Sequence, residues 1–301
     1  MIIDKFKGLN NTFELTKLPP GSLTRAENVL VGKGNSVSRR TGYALVAAGT
    51  SITGSYGSTD NRAIYLIDAG VLYLFDGNGF RSLVTGFPDA PSYWCEESTN
   101  RVFVISGGVY VQVDNTTAPI DLNAHPIPAD DGINDLGTNT ELAPTVGVVA
   151  MAYHQASVVL AVRVAEGATR IQMSIPQVYH LFHKIEGRFE VPDNVVGMES
   201  INGQLLIVCT HSIYVHTADN RLLKLADYGG VPGKPITKLP VNGCLIWTTR
   251  GVVKYPEIQN ISEEAVSLAP GTGASTALYE KDGDVYFLIC NDGGGLPYNA
   301  V

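Results

Sequence analysis

Residues 61–76, NRAIYLIDAGVLYLFD, hold two apolar runs, 63–67 and 71–75, separated by Asp68, Ala69 and Gly70. Runs of five rich in Ile, Tyr, Leu, Val and Phe, joined by a short turn containing Asp and Gly, predict a β-hairpin. Weaker strand patterns flank it at 52–56 and 80–84. The unit is therefore a four-strand meander.

The same unit returns along the chain. Residues 100–114 read NRVFVISGGVYVQVD, 202–218 read NGQLLIVCTHSIYVHTA, 242–255 read NGCLIWTTRGVVKY and 282–291 read DGDVYFLICN. Aligned on the residue that opens the first apolar run, the anchors are Arg62, Arg101, Gln204, Cys244 and Asp284, and three of the steps are 39, 40 and 40 residues. The remaining step, Arg101 to Gln204, is 103 residues and leaves room for a divergent copy at 157–163 and 169–174. Six copies of a period near 40, with four short strands each, predict an all-β chain folded as a six-bladed β-propeller. Each sheet is too small to bury both its faces, and stacking neighbours around an axis hides them. Two separate β-sandwiches would also have evenly spaced strands; the regular step favours the propeller.

The composition agrees. Of the 301 residues 45 % are hydrophobic, 17 % are charged and 32 are Gly, which suits a turn-rich β protein with a sizeable core. No run of 18 apolar residues is present, so no membrane span is expected, and the N-terminus lacks a secretory pattern. Cys95, Cys209, Cys244 and Cys290 lie in different repeats without CxxC spacing, which predicts small buried hydrophobes with reduced thiols. The net charge of −8 divides unevenly, with +4 on residues 1–50 and −12 on residues 51–301. A basic N-terminal arm, 1–50, thus precedes an acidic propeller, 51–301. An acidic ring is a poor nucleic-acid grip, because phosphate binding runs on Lys and Arg, but it is a suitable wall for a channel that DNA traverses without adhering.

Residues 19–43, PPGSLTRAENVLVGKGNSVSRRTGY, stand outside the repeat. They contain Pro19-Pro20-Gly21, the step Ala26-Glu27-Asn28-Val29, a glycine turn at Gly32-Lys33-Gly34, and the close Arg39-Arg40-Thr41-Gly42-Tyr43. This run resembles the N-terminal signature of tailed-bacteriophage virion proteins that carry a β-propeller at the base of the tail, as in the nozzle or hub proteins of short-tailed phages. The resemblance implies a structural component of a phage tail or head–tail junction, located in the virion and assembled in the host cytoplasm. It also implies a homo-oligomeric ring that contacts tail, portal, adaptor or fibre proteins, with passing contact to DNA, and neither a cofactor nor catalysis. Other functions left open by the residues are a monomeric protein- or carbohydrate-binding propeller and a propeller glycosidase.

Interface candidates follow from charge and position. Arg39 and Arg40 are adjacent cations at the end of the arm. Residues 119–144 form a segment without apolar periodicity that holds Asp130, Asp131 and Asp135, read here as a contact arm to a neighbouring subunit. His180, His183 and Glu186 would share a face only on a helix; residues 177–190 read instead as the outer hairpin of the third repeat. The turn around Asp76 and the Asp282-Gly-Asp284 run lack the glutamate of a calcium loop and read as β-turns. The neighbouring carboxylates Glu96-Glu97 and Glu263-Glu264 point to opposite faces of a strand, and no nucleophile elbow or P-loop is present, so the chain reads as no enzyme.

The last repeat has two clear strands, 276–280 and 285–290, and too little chain after them for a full blade. A strand from residues 37–47 is expected to complete it. Deleting residues 1–48 should then abolish cooperative folding; a soluble truncated chain with a cooperative thermal transition would count against this.

Overall fold

A computed structural model of the chain describes residues 29–31, 37–39, 49–60, 62–97, 100–114, 117–127, 139–240, 242–262, 271–281 and 284–291. The fold is all-β, a six-bladed propeller. β1 (Val29–Val31) and β2 (Val37–Arg39) form a two-stranded antiparallel hairpin. Sheet 1 is β3 (Ile52–Gly57), β4 (Ile64–Asp68), β5 (Val71–Phe75) and β6 (Phe80–Thr85), paired in chain order. Sheet 2 repeats this with β7 (Ser92–Glu96), β8 (Val102–Ser106), β9 (Val109–Val113) and the two-residue β10 (Ile120–Asp121).

Sheet 3 is the divergent copy and the largest. Its six strands are β11 (Thr140–Leu142), β12 (Val148–His154), β13 (Ser157–Ala165), β14 (Ala168–Ile175), β15 (Val178–His183) and β16 (Arg188–Val191). Sheet 4 is β17 (Val195–Ile201), β18 (Gln204–Cys209), β19 (Ile213–His216) and β20 (Leu222–Ala226). After the short β21 (Gly233–Lys234), sheet 5 is β22 (Ile236–Lys238), β23 (Cys244–Thr248), β24 (Gly251–Tyr255) and β25 (Gln259–Asn260). Sheet 6 joins β26 (Ala274–Lys281) and β27 (Asp284–Asn291) to β21.

The chain divides into two compact units, Ala47–Cys209 with Tyr214–Leu223, and Lys224–Val301 with Thr210–Ile213 and Met1–Val46. In the first, alternation along each strand assigns the faces. Tyr65, Ile67, Leu72 and Leu74 point to one side of sheet 1 and meet Val102, Val104, Val111 and Val113 of sheet 2. Phe103, Ile105 and Tyr110 leave the opposite face of sheet 2 and pack with Met151, Val158, Leu160, Tyr179 and Phe182 of sheet 3. The far side of sheet 3, through Ala150, Ala152, Val159, Ala161 and Ile171, packs on Leu205, Ile207, Cys209 and Tyr214. In the other unit, Leu245, Trp247 and Val252 of sheet 5 pack on Ala274 and Ile289 of sheet 6. The central hairpins of sheets 2 and 3 are each covered on both sides by a neighbour, the arrangement of blades and not of a sandwich.

Two expectations need correction. Residues 177–190 are not a hairpin: β15 pairs with one half of β14 and β16 with the other. β14 runs eight residues, long enough to seat two short partners end to end. The segment 119–144 is ordered at both ends, where β10 pairs with β9 and β11 with β15. Of the residues expected to complete sheet 6, Val37–Arg39 pairs with β1 and residues 40–47 lie outside the described residues. The third described strand of that sheet is Gly233–Lys234, parallel to Ala274 and Ser275. The pairing is parallel because β21 leads into β22, the first strand of its sheet, and β22 lies beside β26, the first strand of the next. Gly233 is required there: its φ is +113° and an added Cβ would sit 2.2 Å from the Ala274 oxygen.

Phe103 is fully buried, 4.7 Å from the Tyr179 ring in an edge contact, whereas Ile64 is 48 % exposed. Phe103→Ala is expected to cost about 3–5 kcal/mol in urea unfolding, and Ile64→Ala no more than about 0.5 kcal/mol. Equal losses would contradict the assignment of faces.

Candidate functional site

The first strands of sheets 1 to 4, β3, β7, β12 and β17, are consecutive neighbours. Their C-terminal ends carry Tyr56, Glu96 with Glu97, Tyr153 with His154, and Glu199 with Ser200. A strand end at a turn is where polar side chains are tolerated without interrupting the apolar alternation further along.

Glu96 is the anchor. Its Oε2 accepts hydrogen bonds from the Thr59 backbone N–H at 2.7 Å, the Thr59 hydroxyl at 2.6 Å and the Tyr56 phenol at 3.2 Å. The Tyr56 ring stacks on Trp94, with centroids 6.0 Å apart. Burial, then the Glu96 and Glu199 carboxylates, push the Tyr56 phenol well above its ordinary range, so it stays protonated and donates. Glu97 faces elsewhere, as expected of adjacent residues on a strand. It pairs with Arg101 at 3.4 Å, and its charge helps to raise the Tyr153 phenol. Tyr153 is also raised, first by burial and next by its hydrogen bond with Tyr179.

Beside this lies a histidine centre. His154 is buried, and its Nδ1 is 2.8 Å from the Ser200 hydroxyl across the sheet 3–sheet 4 boundary. His216 bonds Asn220 at 2.8 Å and stacks on Phe189 with centroids 4.4 Å apart. Burial, then His216, hold the His154 imidazole below its ordinary value, favouring the neutral form. Chemically, three carboxylates, two protonated phenols and a neutral imidazole suit donors and cations. They repel a phosphate.

The candidates named from sequence fall elsewhere. Arg39 is in β2, its backbone opposite Val29; Arg40, Asp130, Asp131, Asp135, Glu263 and Glu264 lie outside the described residues. His180 and His183 are on β15, a strand, and His180 contacts His125 and not its sequence neighbour. Asp76 accepts from the Asn78 N–H at 3.0 Å, an Asx turn. Cys95, Cys209 and Cys244 are buried; Cys290 is exposed, a departure from the expected pattern. Among the described residues no group of three or more His, Cys, Asp and Glu is placed to hold a metal, and no helix is long and apolar enough to cross a membrane. The cluster at the strand ends escaped the sequence reading because Tyr56, Tyr153, His154 and Ser200 are ordinary residues taken singly. The signal was their shared place in the repeat, at the close of each first strand.

No family model matches the chain, and no curated protein is similar to it in sequence. Among solved structures, the chain is similar to the extracellular domain of BT4673 from B. thetaiotaomicron, at 13 % identity and a TM-score of 0.51, over 85 % of this chain and 36 % of that one. The chain thus spans about a third of that structure. It is also similar to a streptogramin B lyase, at 15 % identity and a TM-score of 0.46, over 81 % of this chain and 92 % of that one. A further similarity is to a catalytically inactive virginiamycin B lyase from Staphylococcus aureus, at 13 % identity and a TM-score of 0.44, over 87 % and 84 % of the two chains. The reading of the chain as no enzyme is thereby corrected: its structural neighbours include propeller enzymes, and the absence of a linear motif does not exclude catalysis when a site is assembled from several blades.

Glu96→Ala leaves three donors without their acceptor and is expected to destabilise by about 1–3 kcal/mol in urea unfolding. A variant as stable as the parent would show that the Glu96 contacts are incidental.

Proposed function

We propose that the chain is a structural propeller of a tailed-bacteriophage tail or head–tail junction, assembling as a homo-oligomeric ring and contacting neighbouring virion proteins. The observation that carries this reading is the run from Pro19-Pro20-Gly21 to Arg39-Arg40-Thr41-Gly42-Tyr43 directly ahead of the propeller repeats. Two features support it. The carboxylates at the ends of β7 and β17 disfavour phosphate, as a surface passed by DNA requires. Sheet 3 carries two strands more than the four-stranded sheets, and Asp130, Asp131 and Asp135 belong to the chain segment that leads into it. In this reading Arg39 and Arg40 pair with the acidic surface of an adjacent subunit, and the protein resides in the virion after assembly in the host cytoplasm.

A second reading is a propeller that binds or transforms a small ligand at the first-strand ends. The observation in its favour is the His154–Ser200 contact between the ends of β12 and β17.

Native mass spectrometry and electron microscopy of the purified protein test the first reading. A closed ring of identical subunits is expected, and Arg39→Glu with Arg40→Glu should shift it at least about tenfold toward monomer, as the loss of charged interface contacts does. A strictly monomeric parent at high protein concentration would overturn it.

A further inference from the structure

We propose that His125 and His180 form a proton-operated latch, which holds the segment from β10 to residue 127 against sheet 3 at neutral pH and releases it on mild acidification. The two imidazoles lie 5.0 Å apart, centroid to centroid, with 34° between their planes. They belong to different sheets. His180 is on β15 of sheet 3, and His125 follows the 3-10 turn Leu122–Ala124 that leaves the outermost strand of sheet 2.

Among the described residues the segment has the following other ties. Leu122 is buried among Phe103, Tyr110, Tyr179 and Phe182. Asp121 accepts from the Asn123 N–H at 2.9 Å, and the Asn123 side-chain amide donates to the Gly108 carbonyl at 2.6 Å. All but Leu122 bind the segment to itself or to sheet 2. The His125–His180 contact is its polar link to sheet 3.

Two neutral imidazoles pack well at this distance, and two imidazolium ions repel. Among the described residues, the charged groups on the elements around the pair have other partners. On β11, Glu141 accepts from Gln172 Nε2 at 2.8 Å. On β14, Arg170 faces Glu190 of β16 at 3.4 Å. On the turn, the Asp121 carboxylate is engaged by Asn123. On β15 itself, His183 lies opposite Thr140, and the His180 carbonyl accepts from the Ala143 N–H at 3.2 Å. Among the described residues neither imidazole has a carboxylate as hydrogen-bond or ion-pair partner.

Burial, then the presence of His125, hold His180 below the ordinary imidazole value. A histidine depressed in the folded state adds stability that is fully present above its unfolded value, about 6.5, and is lost as the pH falls from there through the folded value. The latch is therefore closed above that window and opens within it. Carboxylates ordinarily titrate lower, near about 4, so the change at pH 5.5 belongs to histidine.

Hydrogen exchange of the full chain at about pH 7.5 and about pH 5.5, corrected for intrinsic rates, tests this. The amides of residues 120–127 should lose protection at least about tenfold at the lower pH, while those of β18 do not change. His180→Phe and His125→Phe each keep a ring at the contact without the second charge and should abolish the loss. Protection independent of pH in the parent, or the same loss in both Phe variants, would overturn the latch. A general loss that includes β18 would do so as well, since it reports global unfolding.

Discussion

The contact of Tyr65, Ile67, Leu72 and Leu74 with Val102, Val104, Val111 and Val113 is made again, with other residues, between sheets 2 and 3 and between sheets 3 and 4. A meander of three or four short strands has two apolar faces and no means of covering either. Burial of apolar area is the main favourable term in folding, at about 25 cal/mol per Å², so such a sheet is stable only between two others. This constraint explains why β8 is buried at every position, and why valine and isoleucine crowd strands whose turns are polar. It also explains why the repeat tolerates a divergent third copy. What must recur is the pair of apolar faces, and β13 and β14 supply them without the Asn-Gly, Asn-Arg or Asp-Gly opening of the other copies.

Freedom lies where that constraint ends. The outer strands β6 and β10 hold no buried residue, and on the corresponding side sheet 3 departs from the others, with β15 and β16 sharing β14 and β11 added outside. The first strands meet their neighbours by their ends, so polar side chains collect at those ends without disturbing the packed faces. Glu96 with Thr59 and Tyr56, and His154 with Ser200, join residues about 40 positions apart or more, close to the length of the repeat. Repetition of one module thus produces a polar cluster that no single module contains.

The hairpins were legible because their signal is local: alternation, turn residues and a fixed step. Residues 63–67 and 71–75 became β4 and β5 within a residue of the reading. The third copy was found by elimination and proved to be β13 and β14. The outer part of sheet 3 was misread because residues 177–190 contain a turn at Gly187, and a turn between two apolar stretches suggests that they pair. Their common partner, β14, is invisible to a local pattern.

The sequence by itself determined the class of fold, the number of modules and the place of nearly every central strand, because period and alternation record which residues must be hidden. It also set the charge division between the arm and the repeats. Only the tertiary structure decided which side chains meet: Glu96 with Thr59, Glu97 with Tyr153, His154 with Ser200, and His125 with His180 instead of His183. Each of these pairs joins separate strands or sheets, and such proximity depends on how sheets stack, a quantity that spacing along one chain does not encode.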